Sequence, residues 1–406
     1  MAARMPCRGE AGSRRQAVPA HRAPGAGQAR CRSPLSCGPG VIIRCMTMQP
    51  ADARRALAGW DVGGSQLKVA WVDAAGAAVR VRLLATPLWQ GVEVLQRAVE
   101  QVLVEWPQLA EARHVVTMTA ELCDIFASRA QGVGAVVGLL RARLPTDAVG
   151  YYSLRGWLSA DAACRDAAAV ASANWHATLT CVARRRHNGI LLDVGGTTTD
   201  VQPFVAGRAE VQGYDDAARL RSEELVYTGV VRTPVMALCR RVPVRGAWVD
   251  LAAEHFADMA DVYRLLSCLP AACDLQRTAD GAGRGVAASA RRLARMVGMD
   301  VDGTTAPTEW VALARYLADE QAQRIRRALA RALSRCPRAR SGGIVGAGAG
   351  RFLARRLAAQ LQLGYTDFTE LAPLAAGERD LGGCCASAVA LALLARELPP
   401  VAGTEP

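Results

Sequence analysis

Gly189-Ile190-Leu191-Leu192-Asp193-Val194-Gly195-Gly196-Thr197-Thr198-Thr199-Asp200 is an apolar strand that ends in a carboxylate, turns through two glycines and leaves on three hydroxyls and a second carboxylate. A strand that turns through glycines exposes consecutive backbone N–H groups with no side chains in the way, and such a nest cradles phosphate oxygens. The preceding Asp193 suits a hydrated Mg²⁺ that neutralises the same phosphates, and Thr197, Thr198 and Thr199 add donors. A single Asp-x-Gly-Gly is most simply a tight hairpin turn. Three hydroxyls bracketed by carboxylates ask for more than a turn.

Working outward, the same layout occurs earlier. Apolar residues from Ala58 to Val72 are interrupted by Asp61-Val62-Gly63-Gly64-Ser65, and a further strand is expected at Val79 to Leu84. Helical spacing over Val92 to Trp106 and Ala130 to Arg143 brackets a short strand at His114 to Met118. After the second loop, strands are expected at Val201 to Val205 and around Ala209 to Gln212. The segment Glu254 to Met299 reads as helical, and Glu309 to Ser334 as a long amphipathic helix whose Arg-rich face is solvated. Downstream, Gly346-x-Gly348-x-Gly350 leads into a helix over Arg351 to Leu361. A dinucleotide fingerprint there would need glycine where Arg351 stands, and no complete βαβ unit follows.

Two strand–turn–strand cycles imply two lobes of like architecture facing one another. The three glycine motifs resemble, in order, the two phosphate loops and the adenosine-side loop of the actin, sugar-kinase and chaperone-ATPase superfold, which is ribonuclease H-like. The expected organisation is a leader at 1–50, lobe I at 51–187, lobe II at 188–380, and a C-terminal helix and tail at 381–406.

Composition supports a sizeable core, because 406 residues are 51% hydrophobic with only 5% aromatic. The net charge of +12 raises the question of nucleic acid. Much of it lies in residues 1–50, where eight arginines stand against Glu10, so neither a nucleic-acid nor a membrane partner is expected of the body. That Arg/Gly/Pro-rich leader reads as disordered, with Met46 or Met48 as the expected start of the protein. Thirteen cysteines carry no C-x-x-C pair, which reads as scattered thiols in a reducing cytoplasm. The apolar run from Cys384 through Ala395 is too short to span a bilayer and reads as a buried helix. A homo-oligomer is compatible with all of this.

Lys68 is the sole lysine among 49 basic residues. Its place beside the first loop suits a compact point charge on a phosphate, a task that Arg performs differently. The residue set read for phosphate and nucleotide contact is therefore Gly63, Gly64, Ser65, Gly195, Gly196, Thr197, Thr198, Thr199, Arg232, Gly346, Gly348 and Gly350, with Asp61 and Asp193 for the metal.

From Gly59 to about Leu394 the chain resembles the hydantoinase/oxoprolinase-related family linked to tetrahydromethanopterin one-carbon transfer. The resemblance is carried by Gly59-Trp60-Asp61-Val62-Gly63-Gly64, Met118-Thr119-Ala120-Glu121-Leu122-Cys123-Asp124, Ala171-Ser172-Ala173-Asn174-Trp175-His176-Ala177, the Asp193 to Asp200 loop, Glu224-Leu225-Val226-Tyr227-Thr228-Gly229 with Arg232-Thr233-Pro234, and Ala260-Asp261-Val262-Tyr263-Arg264-Leu265. It implies a transferase of methylofuran biosynthesis, in which the phenol oxygen of glutamyl-tyramine attacks an aminomethyl-furanmethanol diphosphate, giving an aryl ether and diphosphate. Mg²⁺ and Lys68 would then stabilise the leaving group. A base is needed for the phenol, and Asp200, Glu121, Asp124 and His176 are all candidates. Glu121 and Asp124 equally suit a helix cap, and His176 a packed structural role. Two other functions fit the same loops: an ATP-dependent small-molecule kinase or hydantoinase-like hydrolase, with ATP as cofactor, and a nucleotide-binding assembly protein without chemistry.

Overall fold

The computed structural model describes residues 55–144, 149–301 and 307–398. The expected leader lies outside these residues.

Six strands form the first sheet: β1 (Leu57–Val62), β2 (Gln66–Val72), β3 (Val79–Ala85), β4 (Arg113–Met118), β5 (Val149–Ser153) and β6 (Gly156–Leu158), in the order β3-β2-β1-β4-β5-β6. The β1–β2 and β2–β3 pairs are antiparallel hairpins, whereas β4 and β5 join parallel after helical crossovers. The second sheet repeats the plan with β7 (Gly189–Val194), β8 (Thr199–Val205), β9 (Arg208–Ala209) and β10 (Leu225–Val226). A separate hairpin of β11 (Arg241–Val244) and β12 (Ala247–Asp250) follows, before β13 (Ile344–Ala347) and β14 (Tyr365–Asp367) complete the second sheet in the order β10-β8-β7-β13-β14. Two hairpin-linked strands beside a central strand with parallel neighbours, made twice, are the two-lobed α/β architecture expected from the paired loops.

Strand periodicity decides which side chains meet. In β1, Ala58, Trp60 and Val62 face an outer core with the helices Glu93–Glu105 and Arg129–Arg143. Leu57 faces the opposite core, where the helices Asn174–Arg185 and Ala386–Glu397 pack against both sheets and also meet Leu191 of β7. Alternation from Leu57 and from Leu191 therefore puts Asp61 and Asp193 on the inner face of their sheets. Gly59 lets the last helix press onto β1, because a Cβ there would lie 2.3 Å from the Ala388 carbonyl oxygen. The long helix Pro307–Arg335 and its neighbours Met259–Leu265, Val286–Met296 and Arg351–Gln360 cover the far face of the second sheet.

Some sequence expectations need correction. The strand expected to run to Gln212 stops at Ala209, because the Gln212 and Gly213 N–H groups turn away to the buried Glu224 carboxylate at 2.8 and 3.0 Å. The segment Glu254 to Met299 is helical only at Met259–Leu265 and Val286–Met296, apart from one 3₁₀ turn. The loop between the two helices contains Pro270 and is tied by Arg264 to Asp261 and Asp274 and by Arg292 to Asp261 and Asp280. The Arg-rich face of the long helix is not wholly solvated, since Arg331 reaches the Ser222 carbonyl and Arg335 the Glu224 carboxylate at 2.8 Å. Nor are all cysteines single: Cys273 and Cys384 form a disulfide across 111 positions, a separation that no local spacing pattern reveals. Among the described residues, no helix is long and apolar enough to cross a membrane.

Candidate active site

Both Asp-Val-Gly-Gly segments fold into the same turn. The Gly63 N–H donates to the Gln66 carbonyl at 3.0 Å, and the Gly195 N–H donates to the Thr198 carbonyl at 2.9 Å. The hairpin register then sets Lys68 opposite Asp61 in the first lobe and Asp200 opposite Asp193 in the second. Tight packing leaves the second turn little freedom, since a Cβ on Gly229 would come within 2.5 Å of the Thr197 nitrogen. Val231 and Arg232 donate their N–H groups to the Gly196 carbonyl at 3.0 and 2.8 Å.

The two turns open into one cavity of about 630 Å³. Of the residues read from the sequence, Asp61, Gly63, Gly64, Ser65, Lys68, Asp193, Gly195, Gly196, Thr197, Thr198, Asp200 and Arg232 line it. Thr199 does not; it is buried and donates its hydroxyl to the Thr228 carbonyl at 2.7 Å, anchoring the loop from beneath. Gly346, Gly348 and Gly350 also stand off the main cavity, filled by packing. A Cβ at Gly346 would meet the Tyr365 hydroxyl at 2.5 Å, one at Gly348 the Val194 carbonyl at 2.3 Å, and one at Gly350 the Val194 side chain at 2.4 Å. Gly348 instead borders a small annex of about 30 Å³ shared with Lys68, Asp193, Ser387 and the Cys273–Cys384 bridge.

Neither Glu121 nor His176 lines the cavity. Glu121 is buried behind it and accepts from the Ser172 N–H at 2.8 Å and from the Ser172 hydroxyl at 3.0 Å. Burial raises the Glu121 pKa against those hydrogen bonds. Ser172, in a left-handed backbone at φ 52°, is thereby held on the cavity wall. His176 bonds through Nδ1 to the Tyr152 hydroxyl at 2.9 Å, and burial, with the Arg219 charge nearby, pushes its pKa down to about 4.

The floor is electrostatically crowded. Lys68 Nζ lies 3.0 Å from Asp61 Oδ2, which also accepts a short hydrogen bond from Ser387. Burial by itself would lower the Lys68 pKa, but the charges of Asp61 and Asp193 outweigh it and hold the ammonium charged. Asp193 is pushed up to about 7, first by burial and then by the nearby Asp200 charge, with Lys68 opposing. Burial also raises Asp200, against the Arg219 guanidinium that clasps it and stacks 4.1 Å over the Trp175 ring.

A divalent cation fits this floor on its own terms. Asp61 Oδ1 is buried with no hydrogen-bond partner among the described residues, and burial and the Asp200 charge disfavour ionisation of Asp193, which a cation would offset. No group of three or more metal-competent side chains gathers among the described residues. Asp61 and Asp193 are the residues that could hold a Mg²⁺, with water and phosphate oxygens as its other ligands.

Sequence reading missed several contributors. Arg219, Asp216, Arg129, Trp89 and Gln276 line the cavity, and Ser387 bonds a floor carboxylate from the last helix. Some of them bridge the two lobes: Arg129 pairs with Asp216 at 2.7 Å, Arg232 lies 5.0 Å over the Trp89 ring, and Gln276 donates to the Ser65 carbonyl at 3.2 Å. Long-range pairings of this kind carry no local sequence signal.

Comparison with known proteins extends the picture. The chain is 28% identical over 246 residues to the (4-{4-[2-(gamma-L-glutamylamino)ethyl]phenoxymethyl}furan-2-yl)methanamine synthase of Methanocaldococcus jannaschii, covering 60% of this chain and 71% of that protein. It is 37% identical over 79 residues to the protein of the same name from Methanococcus vannielii, covering 20% of this chain and 35% of the other. Among solved structures, nucleotide-free acetone carboxylase superposes with a TM-score of 0.50 at 11% identity, covering 84% of this chain and 70% of that one. That likeness is one of fold, and it agrees with the sheet order in placing the chain in the actin, sugar-kinase and chaperone-ATPase superfold. Residues 113–377 match the hydantoinase/oxoprolinase family, a stretch that takes in the whole second loop and most of the cavity wall, and the chain belongs to that family.

Proposed function

We propose that this protein is a transferase of methylofuran-type cofactor biosynthesis in tetrahydromethanopterin-linked one-carbon metabolism, joining an aminomethyl-furanmethanol diphosphate to a phenol such as glutamyl-tyramine with release of diphosphate. The observation that carries the reading is the meeting of both Asp-Val-Gly-Gly turns, with the sole lysine between them, at one cavity. The names of the archaeal relatives supply the substrate chemistry. A volume of about 630 Å³ suits two small ring substrates held end to end.

In this reading the furan substrate's diphosphate lies over the Gly63–Gly64 and Gly195–Gly196 turns. Lys68 and the turn N–H groups stabilise the negative charge that grows on the bridging oxygen as the carbon–oxygen bond breaks. The furan oxygen shares the cationic character left on the methylene carbon. The phenol oxygen then forms the new bond to that carbon, and its proton passes to Asp200, the candidate base from the sequence that both lines the cavity and sits beside the second turn. A Mg²⁺ held by Asp61 and Asp193 would neutralise phosphate charge. Glu121 acts through Ser172 as a positioning residue, and His176 is structural. The reaction belongs in the cytoplasm, where its diphosphate substrate would be made.

The glycines of the third motif do not line the main cavity, which supports a substrate diphosphate over an adenosine group there. Incubation of the full chain with the furan diphosphate, glutamyl-tyramine and Mg²⁺ should yield the ether by mass spectrometry with one diphosphate per ether. ATP consumption without ether formation would establish the kinase or hydrolase reading in its place.

A further inference from the structure

The charges lining the cavity largely cancel one another. Lys68 pairs with Asp61, Arg219 with Asp200, and Arg129 with Asp216. Asp193 lies on the floor beside Lys68 and the phosphate-binding turns. Two carboxylates, Asp193 and Asp124, and one cation, Arg232 over the Trp89 ring, are left without an ion-pair partner among the described residues. Asp124 lines the cavity from the first lobe, is exposed to solvent and has no cationic partner among the described residues, where the neighbouring Cys123 thiol donates to it at 3.6 Å. Leu122 on the same turn and Tyr227 on the opposite lobe also line the cavity, and they are 49% and 60% exposed. A carboxylate without a cationic partner, in a cavity that also exposes the Leu122 side chain and the Tyr227 ring, suits a cation carried on a flat, apolar frame.

We propose that Asp124 is a specificity residue that reads a primary ammonium group on the substrate, while Leu122 and Tyr227 cover the adjoining ring. This deepens the synthase reading and rests on it. Both substrates of that reaction offer such a group: the aminomethyl arm of the furan and the α-ammonium of the glutamyl end. An ammonium docked on Asp124 gives that carboxylate a counter-charge. A neutral hydroxymethyl or methyl group in the same place forgoes that charge-assisted hydrogen bond, so the site favours amines over amine-free analogues.

The test compares the full-length protein with its Asp124→Asn and Asp124→Glu variants. Calorimetric Kd values are measured for furan-methanol diphosphate with and without the aminomethyl arm, and separately for glutamyl-tyramine against 4-ethylphenol. The wild type is expected to favour one amine-bearing partner over its amine-free analogue by at least about tenfold. Asp124→Asn should erase that preference, and Asp124→Glu should restore part of it. Which pair loses its preference identifies the arm that is read. Retention of both preferences in Asp124→Asn, or no preference in the wild type, overturns the proposal. Binding is read without turnover, so a protein that binds the amine selectively yet forms no ether would sink the synthase reading and leave the ammonium site standing.

Discussion

Lys68 faces Asp61 across the first hairpin at 3.0 Å, in the register position that Asp200 holds opposite Asp193 across the second. Equivalent places in two like turns thus carry opposite charges. The groove between them has a cation on one wall and an acid on the other, which suits a reaction that must stabilise a departing anion and accept a proton in the same space.

Replacing Lys68 with Met should lower the rate of diphosphate release at saturating substrate by at least about tenfold, since the point charge on the leaving group is lost. Lys68→Arg should also fall, because a planar guanidinium does not place its charge where an ammonium does. A turnover number for Lys68→Met within twofold of wild type, or about that, would remove Lys68 from the chemistry.

Asp193, with its pKa pushed up to about 7, holds a proton in the folded apo-protein that it gives up to a bound cation. Stabilisation by Mg²⁺ plus diphosphate should therefore grow as pH rises through about 7, being greater near pH 8 than near pH 6. Melting temperatures measured with and without EDTA check this, and Asp193→Asn should flatten the pH dependence. A Mg²⁺ effect that is independent of pH would place the ion elsewhere.

Two histidines are held neutral, His114 fully buried and His176 half-buried. His114 accepts from the Trp60 indole N–H and donates to the Leu109 carbonyl, each at 3.0 Å, and burial depresses its pKa to about 4, as it does that of His176. The unfolded chain takes up protons on these rings below about pH 6.5 while the folded chain resists until about pH 4. Their contribution to stability is thus complete above that window and lost as pH falls through it, by up to about 3 kcal/mol each. Urea midpoints at about pH 7 and pH 4.5 should show the loss, and His176→Gln should reduce it. An acid-insensitive midpoint in the wild type would contradict the neutral rings.

The Cys273–Cys384 bridge closes a loop of 111 positions. Loop closure of that length stabilises by about 5 kcal/mol in the chain-entropy account. Cys273→Ser should lower the melting temperature of the oxidised protein but leave the dithiothreitol-treated protein nearly unchanged. Identical melting of wild type and variant without reductant would show that the thiols remain unjoined.

How much of this could be read along the chain depends on the range of the interaction. Strand, turn and strand around Asp61 and around Asp193 are local, and glycine spacing with apolar alternation was enough to place both loops and the two-lobed fold. The same locality misled at Ala209 to Gln212, where propensity favours a strand but the distant Glu224 carboxylate claims the N–H groups. Arg219, Trp89 and Ser387 escaped notice because each enters the site from a segment with no motif of its own. Gly346, Gly348 and Gly350 were legible as glycines required by close approach, but the sequence could not say that protein atoms make that approach. Glu121 and His176 were singled out within stretches that do border the site, yet it is their neighbours, among them Leu122, Asp124, Ser172 and Asn174, that reach the cavity.

The helix Ala386–Glu397 fills the inner face of the first sheet, more than 300 positions downstream of β1, and brings Ser387 to Asp61. During synthesis the opening strands must therefore leave the ribosome with one apolar face uncovered and wait for nearly all the rest of the polypeptide before that face is sealed. Such late closure makes for slow, non-local folding, and it means that loss of that helix would be felt first at the turn that follows Asp61.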